Sequence, residues 1–143
     1  MKKLVSLSAL MLACSLVFAQ ADSSAGYYAS FDGTKIWYEV KGTGEPVVLV
    51  HGFIVNGESW KRTVLYNDLI KAGYQVITFD MRGNGKSDKP HEAPAYANDA
   101  EAKDLMGLLK YLGIKKYEAV GYSRGSIILA RLLVLDEIVQ RPS

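Results

Sequence analysis

The sequence predicts an α/β fold: a mainly parallel sheet with helices on both faces, entered through an N-terminal antiparallel hairpin. Three observations lead there. Short apolar runs at 47–50, 75–79 and 117–122 alternate with longer stretches at helical period, the pattern of successive β-α-β units. The run Val47-Val48-Leu49-Val50 shows no polar alternation, as expected of a strand covered on both faces. Upstream, Asp32-Gly33 lies between two aromatic-rich, partly alternating runs, a hairpin signal.

The elements follow in order. Residues 22–25 form a polar linker. Strands at 26–30 and 35–41 flank the turn Phe31-Asp32-Gly33-Thr34, with Ile36, Tyr38 and Val40 on one face of the second. The loop 42–46 leads into the buried strand 47–50. A helix is predicted over 58–71, where Trp60, Val64, Leu65, Leu69 and Ile70 recur at helical spacing and Gly73 follows the end. Strand 75–79 ends in Asp80. Residues 81–94 carry Gly83, Gly85, Pro90 and Pro94 and read as a long loop. A helix over 95–112 has Leu105, Leu108, Leu109 and Leu112 as its inner stripe and Gly113 as its stop. Strand 117–122 and a helix over 126–139 complete the series. Tyr27, Tyr28, Trp37 and Trp60 could line a pocket, although aromatics at these spacings are more often core.

Residues 1–21 stand apart. Lys2 and Lys3 open the chain, an apolar run continues to Phe18, and Ala19-Gln20-Ala21 has the small-x-small form of a cleavage site. This reads as a secretory signal peptide, which implies an exported protein, periplasmic or secreted. The apolar run is short for a membrane span, so no stable insertion is expected after cleavage. An uncleaved anchor is one alternative; a lipoprotein signal with Cys14 lipidated is another. The segment holds two of the 17 basic residues and none of the 15 acidic ones, so the remainder is balanced in charge. That balance gives no reason to expect nucleic acid or an anionic membrane as partner. Cys14 is the single cysteine, which excludes disulfides and cysteine-bound zinc from residue 22 onward. No cofactor or metal is expected. A hydrophobic content of 49% places the chain among globular rather than disordered sequences.

In a parallel sheet the reactive groups sit beyond the carboxyl ends of the strands. Phe53, Asp80 and Ser123 all fall there, on one rim. Gly121-Tyr122-Ser123-Arg124-Gly125 has the form G-x-S-x-G between a strand and a helix. A serine hydroxyl needs a base within reach and open space around it. A sharp strand-to-helix turn projects it, and glycines at 121 and 125 remove the side chains that would collide. The helix behind presents free N–H groups to an oxyanion. A second backbone donor must come from another loop on the rim, and His51-Gly52-Phe53 is placed for it, with Phe53 N–H as donor and His51 and Gly52 shaping the turn. The stretch Asp80-Met81-Arg82-Gly83-Asn84-Gly85-Lys86-Ser87-Asp88 fails the G-x-G-x-x-G phosphate pattern because position 88 is aspartate. It reads as a structured turn in which Asp80, Arg82 and Asp88 pair and brace the rim.

These motifs, in this order and spacing, resemble the α/β-hydrolase fold family over roughly residues 26–135. The resemblance implies that 22–143 is the N-terminal part of an α/β-hydrolase domain. It also implies that Ser123 is the catalytic nucleophile, that the backbone N–H groups of Phe53 and Arg124 form the oxyanion hole, and that the substrate is a small-molecule acyl ester, as in esterases and lipases. Family members that are dehalogenases or epoxide hydrolases carry aspartate at the nucleophile position, so serine argues against those activities.

The family's triad runs serine, acid, histidine. Here His51 and His91 both precede Ser123, and the acids after it are Asp136 and Glu137. On a helix rising about 1.5 Å per residue, Asp136 lies on the order of 20 Å from the serine. His91, between Lys89-Pro90 and Glu92-Ala93-Pro94, reads as part of a solvated turn rather than a substitute base. The expectation is therefore an incomplete α/β-hydrolase fold: a truncated, inactive piece of an exported serine hydrolase, with a missing C-terminal half as its natural partner. The strand 117–122 would then be left as an uncovered edge. The alternatives are a non-catalytic pseudo-hydrolase or binding fragment, and an acyltransferase using the same serine.

Overall fold

The structure, a computed structural model, describes residues 22–140, with side chains as far as Leu135. The segment 1–21, read above as a signal peptide, lies outside the described residues, as do the side chains of Asp136 and Glu137.

Five strands form one sheet: β1 (Ser23–Ala29), β2 (Lys35–Lys41), β3 (Pro46–Val50), β4 (Gln75–Phe79) and β5 (Glu118–Gly121). Their spatial order is β1-β2-β4-β3-β5. β3 runs parallel to β4 on one side and to β5 on the other, with Val48 opposite both Ile77 and Ala119. The hairpin joins the same sheet, because β2 pairs antiparallel with β4 and sets Tyr38 against Phe79. β1 begins earlier than the sequence suggests: Ser23 and Ser24 pair with Lys41 and Val40 instead of forming a linker.

Side chains of a strand alternate between faces, and two helical layers use both sets. Val48 and Val50 meet Leu105, Leu108 and Leu109 of α2 (Ala100–Tyr111) and Ile128 and Leu132 of α3 (Arg124–Gln140). Val47, Leu49 and Val76 meet Leu69 and Ile70 of α1 (Val64–Lys71), together with Trp60 and Val120. This explains the uninterrupted apolar run of β3, whose two faces are both core.

Two predicted helices are shorter than expected. The helix over 58–71 is a 3-10 segment (Gly57–Arg62) followed by α1, with extended Thr63 between them (ψ 151°). Thr63 donates its hydroxyl to the Trp60 carbonyl (2.6 Å) and accepts from the Tyr66 N–H (3.2 Å). A threonine placed so that it can cap the next turn starts a new helix instead of continuing the old one. The helix over 95–112 begins only at Ala100, after a 3-10 turn (Ala93–Tyr96). Asn98 (φ 54°) and Asp99 (φ 59°) are left-handed, which no α-helix accommodates. The third predicted helix starts earlier, at Arg124.

Of the aromatics considered for a pocket, Trp37 lines a recess of about 340 Å³ with Glu39, Asn56 and Lys86, and the others serve packing. Tyr28 flanks the larger core and meets Tyr111 at 5.4 Å between ring centres, and Trp60 packs in the smaller core. Tyr27 and Trp37 stack edge to face at 5.0 Å on the hairpin. Among the described residues no helix is long and apolar enough to cross a membrane. No cluster of three His, Cys, Asp or Glu side chains suited to a metal ion occurs among them either.

Candidate active site

β3, β4 and β5 are parallel, so His51, Asp80 and Tyr122-Ser123 emerge on one rim. Ser123 stands between β5 and α3 at φ 54°, a left-handed conformation that costs a side-chain-bearing residue about 1–3 kcal/mol and persists only where its surroundings enforce it. Those surroundings are tight. A Cβ on Gly121 would lie 2.6 Å from the Gly125 carbonyl carbon, and one on Gly125 would lie 2.3 Å from the Val50 carbonyl oxygen. The turn is closed by Gly125 N–H to Tyr122 C=O (2.9 Å) and Ser126 N–H to Ser123 C=O (3.0 Å). It is tied to β3 by Tyr122 N–H to Val50 C=O (3.1 Å). Ser123 itself is exposed.

The loop after β3 touches this turn. A Cβ on Gly52 would fall 3.0 Å from Tyr122 Cδ1 and 3.4 Å from Ser123 Cβ. Phe53 follows and is 63% exposed. Arg124 opens α3, so its N–H has no acceptor within the helix. The structure thus brings the Phe53 loop and the amino end of α3 together around Ser123.

His51 is a brace. It is 1% exposed; its Nε2 accepts from Met81 N–H (2.9 Å) and its Nδ1 faces the Gly52 carbonyl (2.7 Å). With Nε2 accepting, the proton resides on Nδ1 and is donated to that carbonyl. Burial pushes the imidazole below its ordinary value of 6.5, against smaller raising effects from the Gly52 hydrogen bond and the charges of Asp80 and Glu101. Both ring nitrogens are committed to tying the loop after β3 to the loop after β4. His91 is exposed in the loop before the 3-10 turn.

The predicted pairing of Arg82 with Asp80 and Asp88 does not form. Arg82 is fully buried and forks onto Asp104 of α2, with Nε and Nη2 each at 2.7 Å from a carboxylate oxygen. Its Nη1 reaches Asp32 of the hairpin turn (2.8 Å) and also the Ala95 carbonyl. Ser30 donates to Asp104 as well. Burial pushes the Asp104 carboxyl up, opposed by Arg82 and Ser30. At Asp32 burial acts in the same sense but is outweighed by Arg82 and by hydrogen bonds from Thr34, which hold the carboxyl at about 2. Asp80 binds backbone instead: Gly57 N–H (2.8 Å) and Lys86 N–H (2.7 Å). Asp88 accepts from Lys35 N–H (2.8 Å). The reason for the difference is reach across the fold. Asp32 and Asp104 lie on elements that pack against the loop, while Asp80 is taken up by the Lys86 N–H of its own turn and the Gly57 N–H at the start of the 3-10 segment. Gly85 is part of that arrangement, since a Cβ there would sit 2.1 Å from Asp80 Oδ2.

One charged partner at the rim was not foreseen. Glu101, in the first turn of α2, receives the guanidinium of Arg124 (Nη2 to Oε2 2.7 Å). An acid in a first helical turn is expected for the helix dipole alone, so nothing local in the sequence marks it as Arg124's partner. A cleft of about 510 Å³ opens here, lined by Phe53, Ile54, Asn84, Tyr96, Glu101 and Arg124 among others.

A family model described as alpha/beta hydrolase fold matches residues 45–141. The chain belongs to the alpha/beta hydrolase family. A Synechocystis sp. member, whose name assigns it provisionally to the non-heme chloroperoxidases, is 44% identical over 98 residues, covering 68% of this chain and 34% of its own length. Epoxide hydrolase 3 of Siraitia grosvenorii is 39% identical over 97 residues, covering 68% and 30%. Among solved hydrolase structures, an esterase from Exiguobacterium antarcticum superposes with a TM-score of 0.70 at 32% identity, over 78% of this chain and 40% of that one. The chain spans about a third of the length of these curated relatives.

Proposed function

We propose that this α/β-hydrolase chain carries a serine nucleophile for acyl substrates. Ser123 Oγ would attack the carbonyl carbon of a small-molecule ester, with the developing oxyanion received by the N–H groups of Phe53 and Arg124. The observation that supports this best is the left-handed, exposed Ser123, enforced by glycines at 121 and 125 that a Cβ would drive into backbone. Such strain at a polar residue on a sheet rim is a functional signature rather than a packing device. Serine also argues against epoxide opening, although relatives bear that name: serine attack on an epoxide carbon leaves an ether, which has no carbonyl for water to attack. Attack on an ester leaves an acyl-serine, which water or another alcohol can open. Hydrolysis and acyl transfer therefore share everything described at this rim.

Taking the serine's proton is a separate matter. His51 has both nitrogens engaged and His91 is exposed in a loop, so neither of the sequence's two histidines is positioned as a base. The 143-residue chain on its own is accordingly expected to turn over esters slowly, through oxyanion stabilisation and binding alone. A fluorophosphonate probe with peptide mapping tests the assignment. Modification should fall on Ser123 and vanish in Ser123→Ala; modification elsewhere, unchanged in that variant, would remove the assignment.

A second reading, halide oxidation, comes from the relatives named non-heme haloperoxidases. A peroxide-dependent halogenation assay on the chain and on Ser123→Ala separates it from ester chemistry. Export is proposed from residues 1–21, and a secreted product beginning at Asp22 would be its mark.

A further inference from the structure

We propose that the side chains of Glu101, Arg124 and Phe53 form a positioning clamp that fixes the separation of the two oxyanion donors. The inference rests on the reading of Ser123, Phe53 and Arg124 given above. Its starting point is a geometric problem: the two donors belong to different loops, and an oxyanion needs both N–H groups at about 2.7–3.1 Å from one oxygen. Nothing covalent sets their distance.

The side chains of the same two residues solve it. The Arg124 guanidinium lies over the Phe53 ring, 5.5 Å from its centre, within range of a cation–π attraction. The other side of the guanidinium is held by Glu101, with Nε at 3.1 Å from both carboxylate oxygens and Nη2 at 2.7 Å from one. The Glu101 side chain is 13% exposed and that of Arg124 38%, so the pair is shielded more than an ordinary surface bridge. Glu101 belongs to α2, whose inner face is core. The clamp thus runs from the packed body of α2, through the guanidinium, to an otherwise exposed loop. Phe53 and Ile54 are 63% and 89% exposed and contribute nothing to either core. Arginine suits the task because its flat fork can meet a carboxylate and an aromatic face together.

A neighbouring pair provides an internal comparison. Arg131 forks onto Asp99 (2.7 and 2.8 Å), also joining α3 to the start of α2, but is more exposed and touches no ring of the Phe53 loop. Its removal would loosen the same helix contact without releasing Phe53.

The test is the rate of fluorophosphonate modification of the full chain in alkaline buffer, where hydroxide takes the serine proton and no protein base is required. Saturation kinetics separate kinact from KI. Glu101→Gln should lower kinact by about tenfold, a fraction of the 10²–10³ lost when a donor is removed outright, with KI little changed. Glu101→Asp should recover part of the rate. Arg124→Lys, which keeps the backbone N–H and the charge but loses the fork, should match Glu101→Gln, and the double variant should be no slower than either. Arg131→Gln should label at the parent rate. Parent-like kinact in both Glu101→Gln and Arg124→Lys would overturn the clamp, as would equal slowing by Arg131→Gln. Ser123→Ala labelling as fast as the parent would instead overturn the serine assignment on which the clamp depends.

Discussion

Gly125 is the residue on which the serine turn depends most. Its hydrogen faces the carbonyls of Val50 and His51, and a Cβ would sit 2.3 and 2.8 Å from their oxygens. Backbone cannot yield as a side-chain end can, so Gly125→Ala should lower stability by about 3 kcal/mol, the upper part of the overpacking range. Thermal melting of the purified variant reads this directly. The glycine spacing was legible in the sequence because the need for absent side chains is local. The role of His51 was only half legible. Its position after a strand suggested a turn-shaping residue, but its bond to Met81, thirty residues on, depends on β3 and β4 being neighbours. The buried ring has a pH consequence. Its folded value lies below the unfolded value near 6.5, so between the two the unfolded chain binds more protons. Stability should therefore be full above about pH 6.5 and decline as pH falls through the folded value. Denaturant melts at a series of pH values should show this decline, and His51→Leu should flatten it while costing about 1–3 kcal/mol for the unsatisfied Met81 N–H.

Between elements, Arg82 is the principal polar link. It joins the loop after β4 to α2 through Asp104 and to the hairpin turn through Asp32. Breaking a buried pair by removing one partner leaves the other charge without compensation, at a cost of about 3–5 kcal/mol. Arg82→Met should show that loss in chemical denaturation. Arg82→Met combined with Asp104→Leu should lose less than the sum of the two, since the orphaned carboxylate is gone. The sequence identified Arg82 as a brace but named the wrong partners. Asp80 and Asp88 are near in sequence, whereas Asp32 and Asp104 become near only when hairpin and α2 close over the loop. The helix breaks have the same origin. Apolar spacing over 58–71 is continuous, and it is the extended Thr63 backbone and the hydrogen bonds of its hydroxyl that show where one helix ends and another begins.

Across the whole molecule, strand alternation, the helical stripes and the three rim motifs were readable, and they account for the α/β architecture and for the family. The place of the hairpin was not, because the β2–β4 pairing joins residues 35–41 positions apart with no local signal. The sheet's other margin carries a physical liability. Within the described residues β5 pairs on one side only, with Glu118 and Ala119 exposed. A recess of about 910 Å³ runs along it, with Tyr117, Leu129 and Leu133 among its lining. An open edge beside apolar surface promotes edge-to-edge association. The purified 143-residue chain should sediment with a concentration-dependent mass, and Ala119→Lys should reduce that dependence.

At the centre stands a serine that the fold presents on the sheet rim beside the two backbone donors proposed for it, while neither histidine of the chain is placed to take its proton. The pH dependence of Ser123 modification by a fluorophosphonate tests this most directly. The rate should climb with hydroxide across the neutral and alkaline range, show no inflection where a histidine titrates, and be unaltered in His91→Ala. A plateau set by a group titrating near neutrality, lost in His91→Ala, would contradict it.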